Sequence, residues 1–365
     1  VRVALISPYA LSVHGGVQEQ VISMSRTLCA RGHEVLVIAP DEADTATYDT
    51  PAPVRRFGSL VTLPANGSRA PLALSRRARR AAYNAVVAFA PDVVHLHEPF
   101  APTLGYTVLA RHRWPLVATF HRSGGFAPLR YLRCVFGTVV RRIDLAVAVS
   151  ASAATTALND FACDTEVLFN GIDVERLRRA PRRAPDHVTV VTVGRLEERK
   201  GVTTLLSAVL AHNATSPEAP WHLEVVGAGP ERGALERLAN GDRRIRFHGA
   251  LADKEKNELL RSASVIVCPA LRGESFGIVV LEAMACEVPV VVSDIDGYRQ
   301  AAGGRGLLSA PGDASALEAT ILRALEVNDS WVASAATYAE TWSMDALVTR
   351  YETLYHEAIG HFVSR

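Results

Sequence analysis

Lysine is almost missing from this chain. Of 39 basic residues only Lys200, Lys254 and Lys256 are lysines, so each lysine position draws attention. An excess of one charge is missing too. The 39 basic residues face 38 acidic ones, a formal net charge of +1, which gives no general attraction to nucleic acid. The five cysteines (Cys29, Cys134, Cys163, Cys268 and Cys286) are an odd number without C-x-x-C spacing. That argues against a zinc site or a disulfide framework and fits reduced thiols in a cytoplasmic protein. No window is long and charge-free enough to span a bilayer. The first residues, Val1 to Ile6, read as a strand with no signal-peptide pattern, so a cytoplasmic location is expected and a periplasmic binding protein is not. A dinucleotide fingerprint is also lacking. Gly227-Ala228-Gly229-Pro230-Glu231 follows a strand, but the G-x-G-x-x-G spacing is not completed and no acid follows at the right distance. It reads as strand-to-helix punctuation and speaks against a nicotinamide enzyme.

What is present is a repeated α/β pattern. At 365 residues with 48% apolar content, two domains are expected. Val3 to Ser7 reads as a buried strand, a loop holds Gly15-Gly16-Val17-Gln18, a helix runs to about Ala30, and Glu34 to Ala39 is the next strand. Strand, helix and strand in this order mean a parallel, doubly wound sheet. Gly15 and Gly16 either allow backbone to approach a ligand at a helix start or make a tight turn. Asp92 to Pro99 is a strand on which His95 and His97 share a face; no further His or Asp cluster supports metal ligation there. Leu116 to His121 is another strand, with His121 at its carboxyl end, where ligands of such sheets sit.

Two polar stretches interrupt the first half. Asn66-Gly67-Ser68-Arg69 looks like an exposed loop. Arg76, Arg77, Arg79 and Arg80 open a helix that runs to about Phe89, with Ala78, Ala81, Ala82 and Ala85 opposite them. The arginines cover roughly half of the helix circumference. They make either a solvated face or a surface attracted to anionic lipid.

The first domain is expected over residues 1–173, a linker over 174–186, a second domain over 187–340, and over 341–365 a terminal helix returning to the first domain. The linker is placed where arginine and proline replace apolar rhythm. The terminal helix carries an apolar stripe of Trp342, Leu347, Tyr351, Leu354 and Tyr355. The second domain repeats the pattern. After the strand His187 to Val193 comes Gly194-Arg195-Leu196-Glu197-Glu198-Arg199-Lys200-Gly201. Arg195 and Lys200 suit a diphosphate, or else they pair with Glu197 and Glu198. The most informative stretch lies between the apolar runs Ser264 to Pro269 and Val288 to Val292. There Glu274 sits in a loop and Glu282 about two turns into a helix, and the first-turn amides of Phe276, Gly277 and Ile278 form an anion site. Two carboxylates beside a phosphate site fit sugar hydroxyls. A nucleotide joined to a sugar through phosphates therefore suits this stretch.

Glu274 and Glu282, with seven residues between them and Ser275-Phe276-Gly277 after the first, resemble the paired-glutamate motif of retaining GT-B glycosyltransferases. Within that group the chain is most similar to bacterial phosphatidylinositol mannosyltransferases. The matching pieces are His14 to Gln18, Asn66 to Ser68, the arginine helix, His97-Glu98-Pro99, Ala118 to His121, Gly194-Arg195 with Arg199-Lys200-Gly201, and Gly273 to Met284. The resemblance implies two Rossmann-like domains facing across a cleft that closes to exclude water.

The resemblance also implies a role for each site residue. Gly15 and Gly16 lie at the donor diphosphate, which Arg195 and Lys200 neutralise. Glu282 binds the ribose and Glu274 the hydroxyls of the transferred sugar. Asp253 and Lys256 lie near the base, and His121 approaches the sugar near the reacting carbon. Gln18, Asn66, Ser68 and Arg69 face an inositol-type acceptor. The implied reaction moves a hexose, mannose favoured, from GDP-mannose to a lipid such as phosphatidylinositol, on the inner face of the cell membrane. The alternative is a soluble transferase acting on a small cyclitol or natural product with a UDP-sugar. No tightly bound cofactor is expected. A divalent metal stays open, with no protein site evident. The chain departs from the mannosyltransferases in the loop Arg122 to Phe126, which lacks their lysine, at Ala65, where they carry an aromatic residue, and in a loop before Lys200 that is one residue shorter.

Overall fold

A computed structural model of the chain describes residues 1–13, 15–41, 48–65, 68–122, 124, 133–274 and 276–364, the side chains of 62–65, 68–71 and 133–136 excepted. The chain divides into two units, Val1–Gly171 with Met344–Arg365, and Ile172–Ser343.

Unit 1 opens with β1 (Arg2–Ile6), α1 (Gly16–Ala30) and β2 (Glu34–Ala39). Val3 to Ile6 and Val35 to Ala39 are buried throughout, as expected of parallel strands covered on both faces. β3 (Val54–Arg56) follows, then an antiparallel hairpin of β4 (Val61–Ala65) and β5 (Ser68–Leu72). Ser68 and Arg69, expected in a loop, are therefore strand residues, their backbones paired with Ala65 and Pro64. Asn-Gly is the sequence signal of a two-residue hairpin turn. The signal was concealed because Pro64 and the run Ser68-Arg69-Ala70-Pro71 have little strand propensity. Asn66 and Gly67 themselves lie outside the described residues.

The unit continues with α2 (Arg76–Phe89), β6 (Val93–His97), α3 (Gly105–Arg111), β7 (Leu116–Phe120), α4 (Arg133–Val140), β8 (Leu145–Ala148), α5 (Ala151–Phe161) and β9 (Glu166–Val167). Ser75 caps α2 and Ser150 caps α5, each hydroxyl accepting a first-turn amide. The sheet runs β3-β2-β1-β6-β7-β8-β9, all parallel.

Unit 2 begins with α6 (Val174–Arg179). These residues were expected in a linker. Asp173 caps the helix through Arg176 N–H at 3.0 Å, and Val174 and Leu177 bury one side of it. An apolar pair three apart is easily lost among arginines. Then follow β10 (Thr189–Val193), a 3-10 turn at Glu198–Lys200, α7 (Val202–Thr215), β11 (His222–Val226), α8 (Arg232–Ala239) and β12 (Ile245–Gly249). The rest is α9 (Asp253–Arg261), β13 (Val265–Cys268), α10 (Ile278–Ala285), β14 (Val290–Ser293), α11 (Asp296–Ala302), β15 (Leu307–Ser309), α12 (Ala314–Leu325) and α13 (Asp329–Glu340). The sheet order is β12-β11-β10-β13-β14-β15, again parallel.

The last helix, α14 (Met344–Val363), belongs to unit 1. Leu347, Val348, Tyr351, Leu354, Tyr355 and Ala358 are buried in one core with Leu5, Val21 and Val37. Burying a leucine-sized side chain contributes about 2 kcal/mol, so this stripe holds the helix on the sheet. Trp342, read as part of that stripe, packs instead in unit 2, on Phe276 and Tyr338. It precedes the helix, so its side chain is not bound by the helical period.

Each sheet reverses its strand order once, between β1 and β6 and between β10 and β13. Loops leaving the carboxyl ends of such a pair diverge to opposite faces and leave a crevice where ligands bind. Gly15, Glu98, the stretch from Gly194 to Gly201 and the one from Pro269 to Gly277 lie on those four loops, whereas His121 follows β7.

Candidate active site

In unit 2 the two loops at the reversal touch. The loop after β10 carries Gly194 to Gly201, and the loop after β13 carries Pro269 to Gly277. Leu271 N–H donates to Arg199 O at 2.8 Å. Gly201 has φ +66, and a Cβ there would stand 2.0 Å from Pro269 O. Only glycine meets both demands. The loop after β11 closes the other side. A Cβ at Gly227 would stand 1.8 Å from Gly194 O, and one at Gly229 2.3 Å from Leu196 O. The incomplete glycine motif thus serves backbone-on-backbone packing beneath the cationic loop.

On this frame five charges alternate. Glu274 Oε1 lies 2.7 Å from both Arg199 Nη1 and Lys200 Nζ. Arg199 Nε reaches Glu197 Oε2 at 3.0 Å, and Arg195 Nη2 reaches Glu197 Oε1 at 3.1 Å. The expected pairing of Arg195 and Lys200 with Glu197 and Glu198 holds in part. Glu197 pairs with Arg195, whereas Lys200 goes to Glu274, and Glu198 reaches Arg272 at 3.3 Å. Glu197 is buried, and a buried carboxylate needs such partners. Three cations on two carboxylates leave one positive charge. The ion pairs fix these side chains in place.

A second pairing lies nearby in sequence. Lys256 Nζ stands 3.5 Å from Glu282 Oε1 and 3.4 Å from Asp253 Oδ1, and Asp253 pairs with Arg176 at 3.1 Å. Lys256 thereby joins α9 to α10, which periodicity alone does not predict. The start of α10 differs from expectation. The helix begins at Ile278, with Gly277 at φ +86 as its cap residue, so Phe276 and Gly277 precede it. A Cβ at Gly277 would lie 2.6 Å from the Tyr298 ring. The Phe276 ring is buried on Trp342, 4.9 Å between centroids, which leaves its backbone as its contribution to a donor site. Ser275 lies outside the described residues.

The unit 1 site has another character. Gly15 precedes α1 in extended backbone, and Gly16 is the first, exposed residue of the helix. Gln18, expected to face an acceptor, is buried under this turn and donates from Nε2 to Ala10 O at 3.3 Å. His14 lies outside the described residues, and the side chains of Ser68 and Arg69 are likewise not described.

On β6 and just past β7 stand three imidazoles. His95 stacks on His97 at 4.4 Å and His97 on His121 at 5.2 Å. His97 Nδ1 lies 2.9 Å from His121 Nε2. His95 bonds Tyr355 at 2.8 Å and Thr119 at 2.7 Å, and Thr119 bonds Tyr351 at 2.7 Å. Burial pushes His95 and His121 down to about 3 and His97 well below its ordinary range, so the rings are neutral. Glu98 turns the chain at φ +48, and its carboxylate accepts His121 N–H at 2.6 Å and Arg122 N–H at 2.5 Å. Burial raises its pKa.

Glu98, Arg199 and Glu197 were not singled out as site residues. An acid directly after a strand, followed by Pro99, was the available signal for Glu98; for Arg199 the signal was its place beside Lys200 in a turn.

The arginines of α2 stand apart from both sites. Arg76, Arg77 and Arg80 are exposed and Arg79 half-buried, while Ala78, Ala82, Tyr83 and Val86 face the core. Among the described residues no carboxylate pairs with them, no helix is long and apolar enough to cross a membrane, and no three His, Cys, Asp or Glu side chains gather to hold a metal.

Comparison with known proteins agrees with this geometry. Residues 14–176 match Glycosyltransferase Family 4, and residues 187–327 match Glycosyl transferases group 1. A phosphatidyl-myo-inositol mannosyltransferase of Mycobacterium leprae is 33% identical over 97% of this chain and 96% of its own length. Its counterpart in Mycolicibacterium smegmatis is 34% identical over 98% and 94%. Among solved structures, Anabaena HepE in complex with UDP and glucose has a TM-score of 0.73 at 20% identity, covering 97% of this chain and 99% of that one. A glycosyltransferase from Rickettsia africae has a TM-score of 0.75 at 15% identity, covering 98% of each. The fold is that of the GT-B enzymes. The chain is a glycosyltransferase and belongs to the family of phosphatidyl-myo-inositol mannosyltransferases.

Proposed function

We propose that the protein transfers mannose from GDP-mannose to the inositol ring of phosphatidylinositol, with retention at the anomeric carbon, while seated on the inner face of the cell membrane. The observation that carries this is Glu274 shared by Lys200 and Arg199 at 2.7 Å each, in a chain about a third identical to phosphatidyl-myo-inositol mannosyltransferases.

The donor's diphosphate takes Lys200 and Arg195 from their carboxylate partners. Glu274, released by Lys200 and still held by Arg199, turns to the hydroxyls of the sugar. Glu282 binds the ribose, with Asp253 and Lys256 beside the base. The amides around Gly277 and Ile278 and the backbone of Gly15 and Gly16 face the phosphates. As the bond from sugar carbon to phosphate oxygen breaks, negative charge grows on the diphosphate, and cations already aimed at it lower the barrier. The acceptor hydroxyl attacks on the face the diphosphate leaves and gives its proton to the departing phosphate oxygen. No covalent sugar–enzyme bond is required. His121 contacts the sugar, and Gln18, Asn66, Ser68 and Arg69 the inositol.

The arginines of α2, with no carboxylate partner among the described residues, support the membrane reading, each worth about 1 kcal/mol near an anionic surface. The identity of the relatives disfavours the soluble alternative. The test is incubation with labelled GDP-mannose and phosphatidylinositol vesicles. Label is expected in the lipid extract, with α-configuration by NMR. Transfer to free inositol from a UDP-sugar, and none to lipid, would overturn the proposal. Changing Arg76, Arg77, Arg79 and Arg80 to Ser should release the protein from sedimenting anionic vesicles; unchanged binding removes the membrane part.

A further inference from the structure

The proposed reaction gives His95 and His97 no task, and His97 is the one that touches His121. His97 closes β6 and is buried. Its ring lies between those of His95 and His121, so it cannot turn without displacing them. Its two nitrogens are unequal. Nδ1 stands 2.9 Å from His121 Nε2, whereas Nε2 is buried with no hydrogen-bond partner among the described residues. His95 differs, since Tyr355 and Thr119 engage both of its nitrogens.

A neutral imidazole carries one N–H and one lone pair, so the bond between the two rings holds a single proton, in one of two arrangements. If His121 Nε2 donates, His97 must carry its own proton on Nε2, and a buried N–H is left with nothing to bond. If His97 Nδ1 donates, its Nε2 is only an unused lone pair. Orphaned buried N–H groups are rarer in proteins than under-used acceptors, and leaving a buried donor unpaired costs its full desolvation. The second arrangement wins.

We propose that His97 is a positioning residue that donates Nδ1–H to Nε2 of His121, which fixes the His121 proton on Nδ1 and makes that ring a hydrogen-bond donor, not a base, toward its substrate. The backbone supports the same setting, because the Glu98 carboxylate holds the N–H groups of His121 and Arg122. The catalytic consequence rests on the role given to His121 above. A His121 that already carries its proton on Nδ1 contacts a sugar oxygen as donor and does not take the proton of the acceptor hydroxyl, which agrees with its transfer to the departing phosphate. The tautomer itself is independent of that reading.

The experiment uses the full chain labelled with 15N-histidine, and two-bond nitrogen–proton NMR identifies the protonated nitrogen of each ring. The His121 signals are assigned by their loss in His121→Asn. In the wild type, His121 should carry its proton on Nδ1. His97→Phe keeps the ring stack without a donor; His121 should then lose its single Nδ1–H form. Its kcat should fall about ten- to hundredfold, as for outer-shell partners of functional histidines, with KM for GDP-mannose little changed. His97→Asn places an amide N–H near the old Nδ1 and should restore both. A wild-type proton on Nε2, or an unchanged His121 signature in His97→Phe, overturns the proposal. Should His97→Phe not fold, judged by its melting curve, the wild type and His97→Asn decide the matter. If no nucleotide sugar is turned over at all, the functional reading fails while the tautomer result stands.

Discussion

The two units solve the same placement problem with opposite chemistry. Both build their site on a parallel sheet, unit 2 on the loops at its strand-order reversal and unit 1 along β6 and β7. Unit 2 fills it with charges, Arg195, Glu197, Arg199, Glu274 and Lys200, each balanced by a neighbour. Unit 1 fills it with neutral imidazoles and hydroxyls, His95, His97, His121, Thr119, Tyr351 and Tyr355. Under the proposed function a diphosphate would need fixed cations whose own repulsion is offset before it arrives, the part given to Glu197 and Glu274, and a neutral sugar would need donors and acceptors of fixed direction, the part given to the buried rings linked in series. One site is tuned by charge and the other by orientation.

Acid should give the largest separation between them. Protonating in place a histidine whose pKa is pushed from 6.5 to about 3 costs several kcal/mol. The folded pKa lies below the unfolded one, so the unfolded chain binds more protons between them. The stability of unit 1 is then full above about 6.5 and is lost as pH falls toward 3. Glu98, raised by burial, works in the opposite sense, one group against three. Hydrogen exchange across a pH series should show unit 1 amides losing protection first; equal loss in both units would break the comparison.

Substitutions in the charged site should act on rate. Lys200→Ala or Glu274→Ala is expected to raise the transfer barrier by about 2–4 kcal/mol, read as kcat/KM with GDP-mannose. Near-normal turnover would contradict the assignment.

A nucleotide should stabilise the protein through that site. GDP at a hundred times its Kd should add about 2.7 kcal/mol, seen as a rise in melting temperature, and Lys200→Ala should reduce the rise. UDP or ADP giving a larger shift would change the base.

The smallest effect is expected from Tyr355→Phe, which removes one hydrogen bond to His95 and should cost about 1 kcal/mol in a denaturant titration. A null result would mean that the neutral series is not coupled to α14.

Much of this arrangement was legible. Glu274, Lys200 and His121 stood out because motif loops follow apolar runs and ligands of parallel sheets sit at strand ends, while the roles given to them came from the resemblance. Glu98, Arg199 and His97 were not, since their roles consist of holding a neighbour named from elsewhere in the chain. Phe276 and Trp342 misled for a related reason: an aromatic residue in a motif and one beside a helix both read as local features, yet they pack on each other.

By itself the sequence determined the alternation of strands and helices, the apolar stripe of the last helix and the residue types at each strand end, because periodicity and composition are properties of neighbours along the chain. Only the tertiary structure decided which cation meets which carboxylate, why Gly201, Gly227 and Gly229 admit no side chain, and that Tyr351 and Tyr355 reach His95 and Thr119 from more than two hundred residues away. Those depend on strand order and on the distance of closest approach between backbones, and neither is written in any local stretch.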